Sequence, residues 1–336
     1  MTTATFTGDS AAELAVVSRN GFVESRHLGS AVVVGREGEL LYELGSPASP
    51  VFARSTLKAL QTLASLEAGA ELDGEHLAIA CASHIGTPGH VALVRDLLGR
   101  AALDERALQC PPAWPLDRAS RDSLIRSGEA SASVYMECSG KHAGFLAACR
   151  AAEWPVETYL QPDHPLQQLV AQTVARFSGE QIRATGVDGC GAPVFAISLT
   201  GLARAMSRFA TAQSSSPFAI FRNAAKIWRA QLEHPWTIQG AGRADSVVME
   251  QLGVFAKSGA EGLQVLVAPD GTSVAVKMLD GSNRAGMLVA LQLLLAAGSI
   301  DAEGAQRVLP ALHLEVLGGG QPVGSIMLGK DVPSTL

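Results

Sequence analysis

The sequence LQVLVAPDGTSVAVKM, residues 263–278, carries the clearest signal of the fold. Two runs rich in β-branched residues, Leu263–Val267 and Val274–Met278, flank a Pro-Asp-Gly-Thr turn at 269–272. Such runs on either side of a short turn predict two antiparallel strands. The most apolar stretch of the chain, Ala285–Ile300, follows them. It is shorter than the roughly 20 residues of a membrane span and contains Gln292, so it predicts a buried helix packed on the sheet.

A matching hairpin is predicted near the N-terminus, where residues 30–34 and 40–44 flank a turn at 35–38, after a strand at 14–17. Helical periodicity dominates the middle of the chain. Helices are predicted over 55–68, 90–98, 141–152, 165–177, 193–209 and 217–231, with a short buried strand at 77–80. These patterns predict an α+β fold in one domain, 1–336. An antiparallel sheet is built from about 12–50 and 240–330, and about 51–239 form helical layers.

Composition excludes several classes of protein. Only 17% of the 336 residues are charged, which excludes an intrinsically disordered chain. The net charge of −6 argues against nucleic-acid binding. The mean hydropathy of +0.20 indicates a large core together with a subunit interface, rather than a membrane protein. No signal peptide is visible at the N-terminus, and five scattered cysteines do not form a disulfide framework, so a reduced, cytoplasmic protein is expected.

A first candidate for chemistry is Ser55-x-x-Lys58 at the predicted start of a helix. Residues i and i+3 share a helix face, so the Lys58 amine can deprotonate the Ser55 hydroxyl and create a nucleophile. A helix cap at Ser55 is the alternative explanation. Penicillin-recognising enzymes pair S-x-x-K with a downstream K-[ST]-G, and Lys257-Ser258-Gly259 fits that order. Their S-D-N element is missing from the sequence, which argues against a β-lactamase proper.

Three further segments combine reactive side chains with glycine: Cys81–Gly86, Glu137–Gly144 and Thr185–Pro193. Cys138 and Cys190 are too far apart for a zinc finger, although they could converge in space as two thiolates. The glycine-rich loop around Cys190 could also present backbone N–H groups to a carboxylate or an oxyanion. The residues alone leave both interpretations open.

Taken in order, these segments resemble the asparaginase II family, the rhizobial-type L-asparaginases. The residues that carry the resemblance are Ala53–Lys58, Cys81–His84, Cys138–Gly144, Pro162–Pro165, Asp188–Gly191, Gly240–Arg243, Lys257 and Val276–Gly281. The match runs from about residue 14 to about residue 326. The resemblance implies a fold similar to serine β-lactamases and glutaminases, hydrolysis of L-asparagine to L-aspartate and ammonia, and assembly as a homodimer.

The resemblance also implies site residues. Ser55 with Lys58 and Ser83 with Lys257 match two Ser–Lys pairs, while Cys138, Lys141 and Cys190 match the ligands of a zinc ion, with Asp188 close by. We expect Ser55 to attack the carboxamide, Lys58 to take its proton, and Ser83 with Lys257 to relay protons. Candidates for substrate contacts are Arg54, His84, Asp188, Gly189 and Gly191. The alternatives are a glutaminase or another serine hydrolase on this fold, and an inactive zinc-binding relative.

The chain departs from the usual family pattern near two of these motifs. Glu137 stands where asparagine is common, Ala59 replaces a frequent proline, and Ile85-Gly86-Thr87 replaces a more usual Ser-Gly-Glu. The last change lies beside Ser83, so substrate affinity or selectivity is expected to differ. None of the changes removes a candidate catalytic group.

Overall fold

The computed structural model describes residues 4–334. Its strands are β1 (Ala12–Arg19), β2 (Phe22–Val34), β3 (Leu40–Leu44), β4 (Pro50–Phe52), β5 (Ala184–Val187), β6 (Pro193–Ser198), β7 (Phe255–Gly259), β8 (Leu263–Val267), β9 (Ser273–Met278), β10 (Glu315–Gly318) and β11 (Gln321–Leu328). Its helices are α1 (Lys58–Glu67), α2 (Gly74–Ala80), α3 (Pro88–Arg100), α4 (Arg118–Arg126), α5 (Ser139–Ala151), α6 (Pro165–Ser178), α7 (Leu199–Ala210), α8 (Ala219–Glu233), α9 (Ala244–Leu252), α10 (Gly286–Ala296) and α11 (Ala302–Val308).

Strands from both ends of the chain form one antiparallel sheet, as the two hairpins predict. Its order is β10-β11-β1-β2-β9-β8-β7, and β3 pairs with β2 beside this path. The two ends meet at the β2–β9 pair, where Val32 lies opposite Ala275 and Val33 opposite Val274. Every residue of β8 and β9 is buried, because helices cover the sheet. The α+β class is therefore confirmed.

Two helices lie on this sheet. Helix α10 packs on β8 and β9, and α7 packs on β2 and β9. The first contact confirms the expectation for the apolar stretch that begins at Ala285. Around α1, the helices α5, α6 and α8 form a helical layer. Each helix within residues 4–334 falls short of the length and apolarity required to cross a bilayer.

The predicted helix at 193–209 is wrong over its first six residues. Pro193–Ser198 form β6, which pairs with β4 and β5 in a second, three-stranded sheet. The Ser198 side chain then accepts a hydrogen bond from the Gly201 N–H and starts α7. The six residues are buried on every side, so their continuous apolar run fits a strand as well as a helix.

The predicted strand at Leu77–Ala80 is also wrong, because these residues form the last turns of α2. All four side chains are buried, and a short run with no polar face has no periodicity that separates strand from helix. After Cys81 the chain continues from Ala82 to Thr87 without helix or strand. The five cysteines are free and buried.

Candidate active site

Lys58 begins α1 directly after a 3-10 turn formed by Arg54–Leu57. Its side chain is 1% exposed and runs towards the segment after α2 rather than back along its own helix. The Nζ donates hydrogen bonds to Ser83 Oγ at 2.9 Å, to the Ala82 carbonyl, and to the Glu137 carbonyl at 3.4 Å. Lys58 thus joins three segments that are distant in sequence.

Lys257 reaches the same hydroxyl from strand β7. Its Nζ lies 2.8 Å from Ser83 Oγ and donates to the Ser258 carbonyl at 2.7 Å. Burial, and then the positive charge of Lys58, lower the pKa of Lys257 to about 8. At neutral to mildly alkaline pH, a part of the Lys257 population therefore carries a neutral amine that can take a proton from Ser83.

Ser83 is the point where the two lysines meet. Its backbone N–H donates to the Ile238 carbonyl at 2.8 Å, which holds it after the end of α2. The residue is only half-buried, whereas both lysines are almost fully buried. A hydroxyl between two amines can receive a proton from one while giving its own to the other, so the arrangement suits proton relay.

Ser55 lies in the turn before α1 and is 9% exposed. Within residues 4–334 no hydrogen bond joins Ser55 Oγ to Lys58 Nζ, because the Lys58 amine is directed to Ser83. The direct Ser55–Lys58 contact expected from their spacing is thus not present in this state. Ser55 follows Arg54, a residue whose φ of +48° is unfavourable for a side chain with a Cβ, and such strained backbone is frequent at functional sites.

The turn that carries Ser55 packs closely on β7. A Cβ at Gly259 would lie 3.2 Å from Thr56 Cγ2 and 3.1 Å from Leu263 Cβ. The glycine of Lys257-Ser258-Gly259 therefore has a packing reason: it lets the Ser55 turn approach the strand that carries Lys257.

The second cluster contains Cys138, Lys141 and Cys190. Lys141 Nζ donates to Cys190 Sγ at 3.0 Å, and the Cys138 thiol donates to the same sulfur. That thiol hydrogen bond, helped by the charge of Lys141, lowers the pKa of Cys190 to about 5, while it and burial raise the pKa of Cys138 to about 12. Burial by itself would lower the pKa of Lys141, but the negative charge on Cys190 raises it.

The geometry of α5 brings this cluster together. A Cβ at Gly140 would lie 2.3 Å from the Ile79 carbonyl oxygen, so only glycine allows the start of α5 to approach α2 this closely. Two sulfurs and one amine nitrogen come together at Cys190. Zn²⁺ accepts thiolate sulfur, and the lysine nitrogen could bind it only after losing its proton, so the donor atoms are compatible with this metal. No group of three or more His, Cys, Asp or Glu side chains in the described part of the chain is arranged for a metal, and this cluster has only two of them.

The predicted substrate contacts at Arg54 and Asp188 bind each other. Arg54 Nε and Nη2 lie 2.9 and 2.8 Å from Asp188 Oδ1, and the Gly189 N–H donates to the same oxygen at 2.8 Å. Gly191, with a φ of +86°, donates its N–H to the Asp188 carbonyl at 2.8 Å. The pair links the Ser55 turn to the Cys190 loop, and both side chains remain partly exposed.

His84, also predicted to contact substrate, is fully buried. Its Nε2 lies 2.9 Å from Ser139 Oγ, and its Nδ1 accepts from the Gly86 N–H at 3.2 Å. Because Ser139 Oγ donates to the Val134 carbonyl, His84 Nε2 carries the proton. Burial moves the pKa of His84 well below its usual range, so the ring is neutral. In this state His84 anchors the segment after Ser83, and its contact with substrate stays a prediction.

Asp245 is a residue near the site that the sequence analysis did not select. It is 1% exposed, and its Oδ2 accepts hydrogen bonds from the Ser258 N–H at 2.8 Å and the Ser258 hydroxyl at 2.7 Å. It lies 13 residues from Ser258 on another element. No local pattern at the start of α9 indicates this contact, which exists because α9 packs against β7.

Several solved structures are similar to this chain. A candidate β-lactamase from Bacteroides dorei DSM 17855 is similar with a TM-score of 0.38 and 15% identity, over 74% of this chain and 84% of that one. A Bacillus glutaminase is similar with a TM-score of 0.34 and 13% identity, over 81% of this chain and 92% of that one. At these TM-scores neither likeness carries a conclusion about this chain. No curated protein has a matching sequence.

The sequence itself matches a family model. The model described as L-asparaginase II covers residues 15–328, nearly the whole chain, and includes both Ser–Lys pairs and the Cys138–Lys141–Cys190 cluster. The chain therefore belongs to the asparaginase II family of amidohydrolases.

Proposed function

We propose that this amidohydrolase is an L-asparaginase, which hydrolyses L-asparagine to L-aspartate and ammonia through an acyl-enzyme. The observation that carries the mechanism is the convergence of the Lys58 and Lys257 amines on Ser83 Oγ, at 2.9 and 2.8 Å. Two buried amines around one hydroxyl form a proton relay, and a relay of this kind serves a serine nucleophile.

In the first half of the reaction, Ser55 Oγ attacks the carbon of the side-chain carboxamide. The Ser55 proton passes to Lys58, which connects directly to the Ser83–Lys257 relay. The carbon–nitrogen bond then breaks, the nitrogen takes a proton from the relay, and ammonia leaves. Substrate binding must bring Ser55 within reach of the Lys58 amine, because the two are not hydrogen-bonded in this state. The Ser55 backbone N–H is our candidate to stabilise the oxyanion.

In the second half, water attacks the β-aspartyl ester on Ser55 while its proton passes to the relay. The ester carbon–oxygen bond breaks, Ser55 regains its proton, and L-aspartate leaves. The depressed pKa of Lys257 supports this step, since a neutral amine is available near pH 8 to accept the proton of water.

The charged α-groups of the substrate are proposed to be held by Arg54, Asp188, Gly189 and Gly191. His84 is a further candidate for a substrate contact. Arg54 suits the α-carboxylate and Asp188 the α-ammonium, since each would exchange its present partner for the substrate's opposite charge. The pair has 22% and 15% of its side-chain surfaces exposed, which supports access by a small molecule.

Cys138, Lys141 and Cys190 are proposed to hold a zinc ion, and Lys141 would lose its ammonium proton on coordination. Bound zinc would supply a Lewis acid that orients a substrate carbonyl or carboxylate. We further propose a cytoplasmic homodimer. The exposed side chains of Phe52 and Val187, at 42% and 77%, support a surface that a second copy covers.

An ammonia assay tests the proposal. Wild type, Ser55→Ala and Ser83→Ala are compared with asparagine and glutamine, and β-lactam hydrolysis is measured beside them. We expect asparagine to be preferred and both variants to be impaired, with an ester trapped on Ser55 by mass spectrometry in Ser83→Ala. Ester on Ser83 would transfer the nucleophile to the serine that both lysines contact. Preference for glutamine would favour a glutaminase, and a zinc-loaded wild type without turnover would favour an inactive relative.

A further inference from the structure

At the outer edge of strand β7, the backbone of Ser258 is hydrogen-bonded to two side chains. Strand β7 ends the order of the main sheet, so its far side has no neighbouring strand among the described residues. Both backbone groups of Ser258 are nonetheless bonded: its N–H donates to Asp245 Oδ2 at 2.8 Å, and its carbonyl accepts from Lys257 Nζ at 2.7 Å. One residue, Ser258, therefore connects a buried carboxylate to a lysine of the relay.

Asp245 is held without a cation in contact. Its Oδ2 accepts the Ser258 hydroxyl at 2.7 Å in addition to the N–H, and its Oδ1 accepts from Gln264 Nε2 at 3.2 Å. Gln264 lies opposite Ser258 in the β7–β8 register, so the carboxylate spans two strands. Within the described residues Asp245 forms no ion pair within 4 Å, although a buried charge is costly without compensation. Burial lowers the pKa of the nearby Lys257, and the negative charge of Asp245 raises it.

We propose that Asp245 is a positioning residue for Lys257. By holding both the N–H and the hydroxyl of Ser258, it fixes the carbonyl that aims the Lys257 amine at Ser83, and it supplies negative charge behind that amine. This inference rests on the proposed function, because it assigns Asp245 a part in the relay.

Besides burial, four neighbouring charged groups shift the pKa of Lys257. Lys58 from α1 lowers the pKa of Lys257, whereas Asp245 from α9, and Cys138 and Glu137 before α5, raise it. Of these, Asp245 is the one that also bonds the residue next to Lys257. Removing its charge should therefore lower the titration midpoint of Lys257, and removing its hydrogen bonds should also misplace the amine.

Asp245→Asn separates these two effects, because its amide oxygen can still accept from Ser258 while Gln264 turns its own amide. We expect the Lys257 midpoint and the corresponding limb of the kcat–pH profile to fall by about one pH unit. We expect kcat to fall roughly 10-fold in Asp245→Asn and roughly 100-fold in Asp245→Ala, with KM changed much less. Ser258→Thr, which keeps the hydroxyl, should retain activity, and Ser258→Ala should lose part of it.

Glu180→Gln is the matched control. Glu180 holds Ser198 in the same manner, through its N–H at 3.0 Å and its hydroxyl, but it lies far along the chain beside α7. This variant should leave both the profile and the Lys257 midpoint unchanged. Thermal unfolding of every variant records any general loss of stability.

The Lys257 midpoint is measured independently of turnover, by NMR of protein labelled with ¹³C at lysine Cε; the chain has six lysines, and Lys257→Arg assigns the signal. An unchanged midpoint in Asp245→Asn would overturn the positioning role, as would an activity loss that follows thermal stability with no shift of the pH limb. If wild type releases no ammonia from asparagine, the proposed function fails, while the NMR titration still decides the role of Asp245.

Discussion

Lys257 and Lys141 are both almost fully buried, but their electrostatic environments are opposite. Lys257 contacts the Ser83 hydroxyl, which Lys58 also contacts, and burial together with the charge of Lys58 lowers the pKa of Lys257 to about 8. Lys141 lies beside the Cys190 sulfur, and the negative charge there raises its pKa despite equal burial. The lysine amine thus loses its proton more easily in one centre and is held charged beside a thiolate in the other. Neighbours, rather than burial, decide the difference.

The largest effect is expected from removing a lysine of the relay. Lys58→Met should reduce asparagine hydrolysis by about 10⁴-fold, because it removes the amine that contacts Ser83 and that we propose as the base for Ser55. Steady-state ammonia release measures this. Lys226→Met, which removes an amine bonded to the Leu72 carbonyl on another surface, serves as the control and should remain active. Comparable losses in the two variants would contradict a specific role for Lys58.

The second centre should respond in metal content. Cys190→Ser is expected to lower zinc affinity by at least about 100-fold, since it replaces the sulfur that accepts hydrogen bonds from both Lys141 and Cys138. Elemental analysis after dialysis against a weak chelator measures this. Cys149→Ala removes a buried thiol outside the cluster and should keep its zinc. Equal zinc retention in Cys190→Ser would remove the metal from our proposal.

The depressed pKa of Lys257 predicts the pH dependence. Since the neutral amine is the active form, kcat should rise about tenfold per pH unit below about 8 and level off above it. A lysine at its ordinary pKa of 10.5 would instead keep the rate rising through pH 9. Steady-state ammonia release at saturating asparagine between pH 6 and 9.5 measures kcat and distinguishes these curves, and a flat profile would show that Lys257 need not lose its proton.

Two glycines sharpen the comparison at the level of packing. Gly140→Ala, whose Cβ would lie 2.3 Å from a backbone carbonyl oxygen, should destabilise the protein by about 3 kcal/mol. Gly259→Ala, whose Cβ would lie 3.1–3.2 Å from side-chain carbons, should cost about 1 kcal/mol. Urea unfolding measures both. Gly189→Ala is the reference, because its Cβ would meet nothing within 4 Å. A Gly259→Ala variant less stable than Gly140→Ala would reverse the expected order.

Much of the fold could be predicted from particular segments. The turn at Pro269–Thr272 and the β-branched runs around it identify β8 and β9, since the signal is local. The same reasoning failed at two segments. It predicted a strand at Leu77–Ala80, which is helical, and a helix at Pro193–Ser198, which is a strand. Both are short and buried on all sides, so burial removed the periodicity that distinguishes a helix from a strand.

The candidate site divides in the same way. Spacing alone indicated Ser55 with Lys58, and Lys257 in its K-[ST]-G motif. The resemblance to the asparaginase II family implied the pairing of Ser83 with Lys257 and the set Cys138, Lys141 and Cys190. The contact of Lys58 with Ser83 was predicted by neither. The spacing of Ser55 and Lys58 suggests a direct contact, yet Lys58 reaches across to Ser83 because the end of α2 lies against the start of α1.

The sequence by itself determined the types of reactive group, the antiparallel sheet made from both chain ends, and the family to which the chain belongs. The first two follow from local periodicity and side-chain chemistry, and the family follows from matching motifs; none of these needs knowledge of distant contacts. Tertiary structure alone decided which hydroxyl the two lysines share, which thiol carries the low pKa, and that Asp245 bonds Ser258 beside Lys257. Each of these depends on the distance between groups far apart in the chain, and that distance is set by packing.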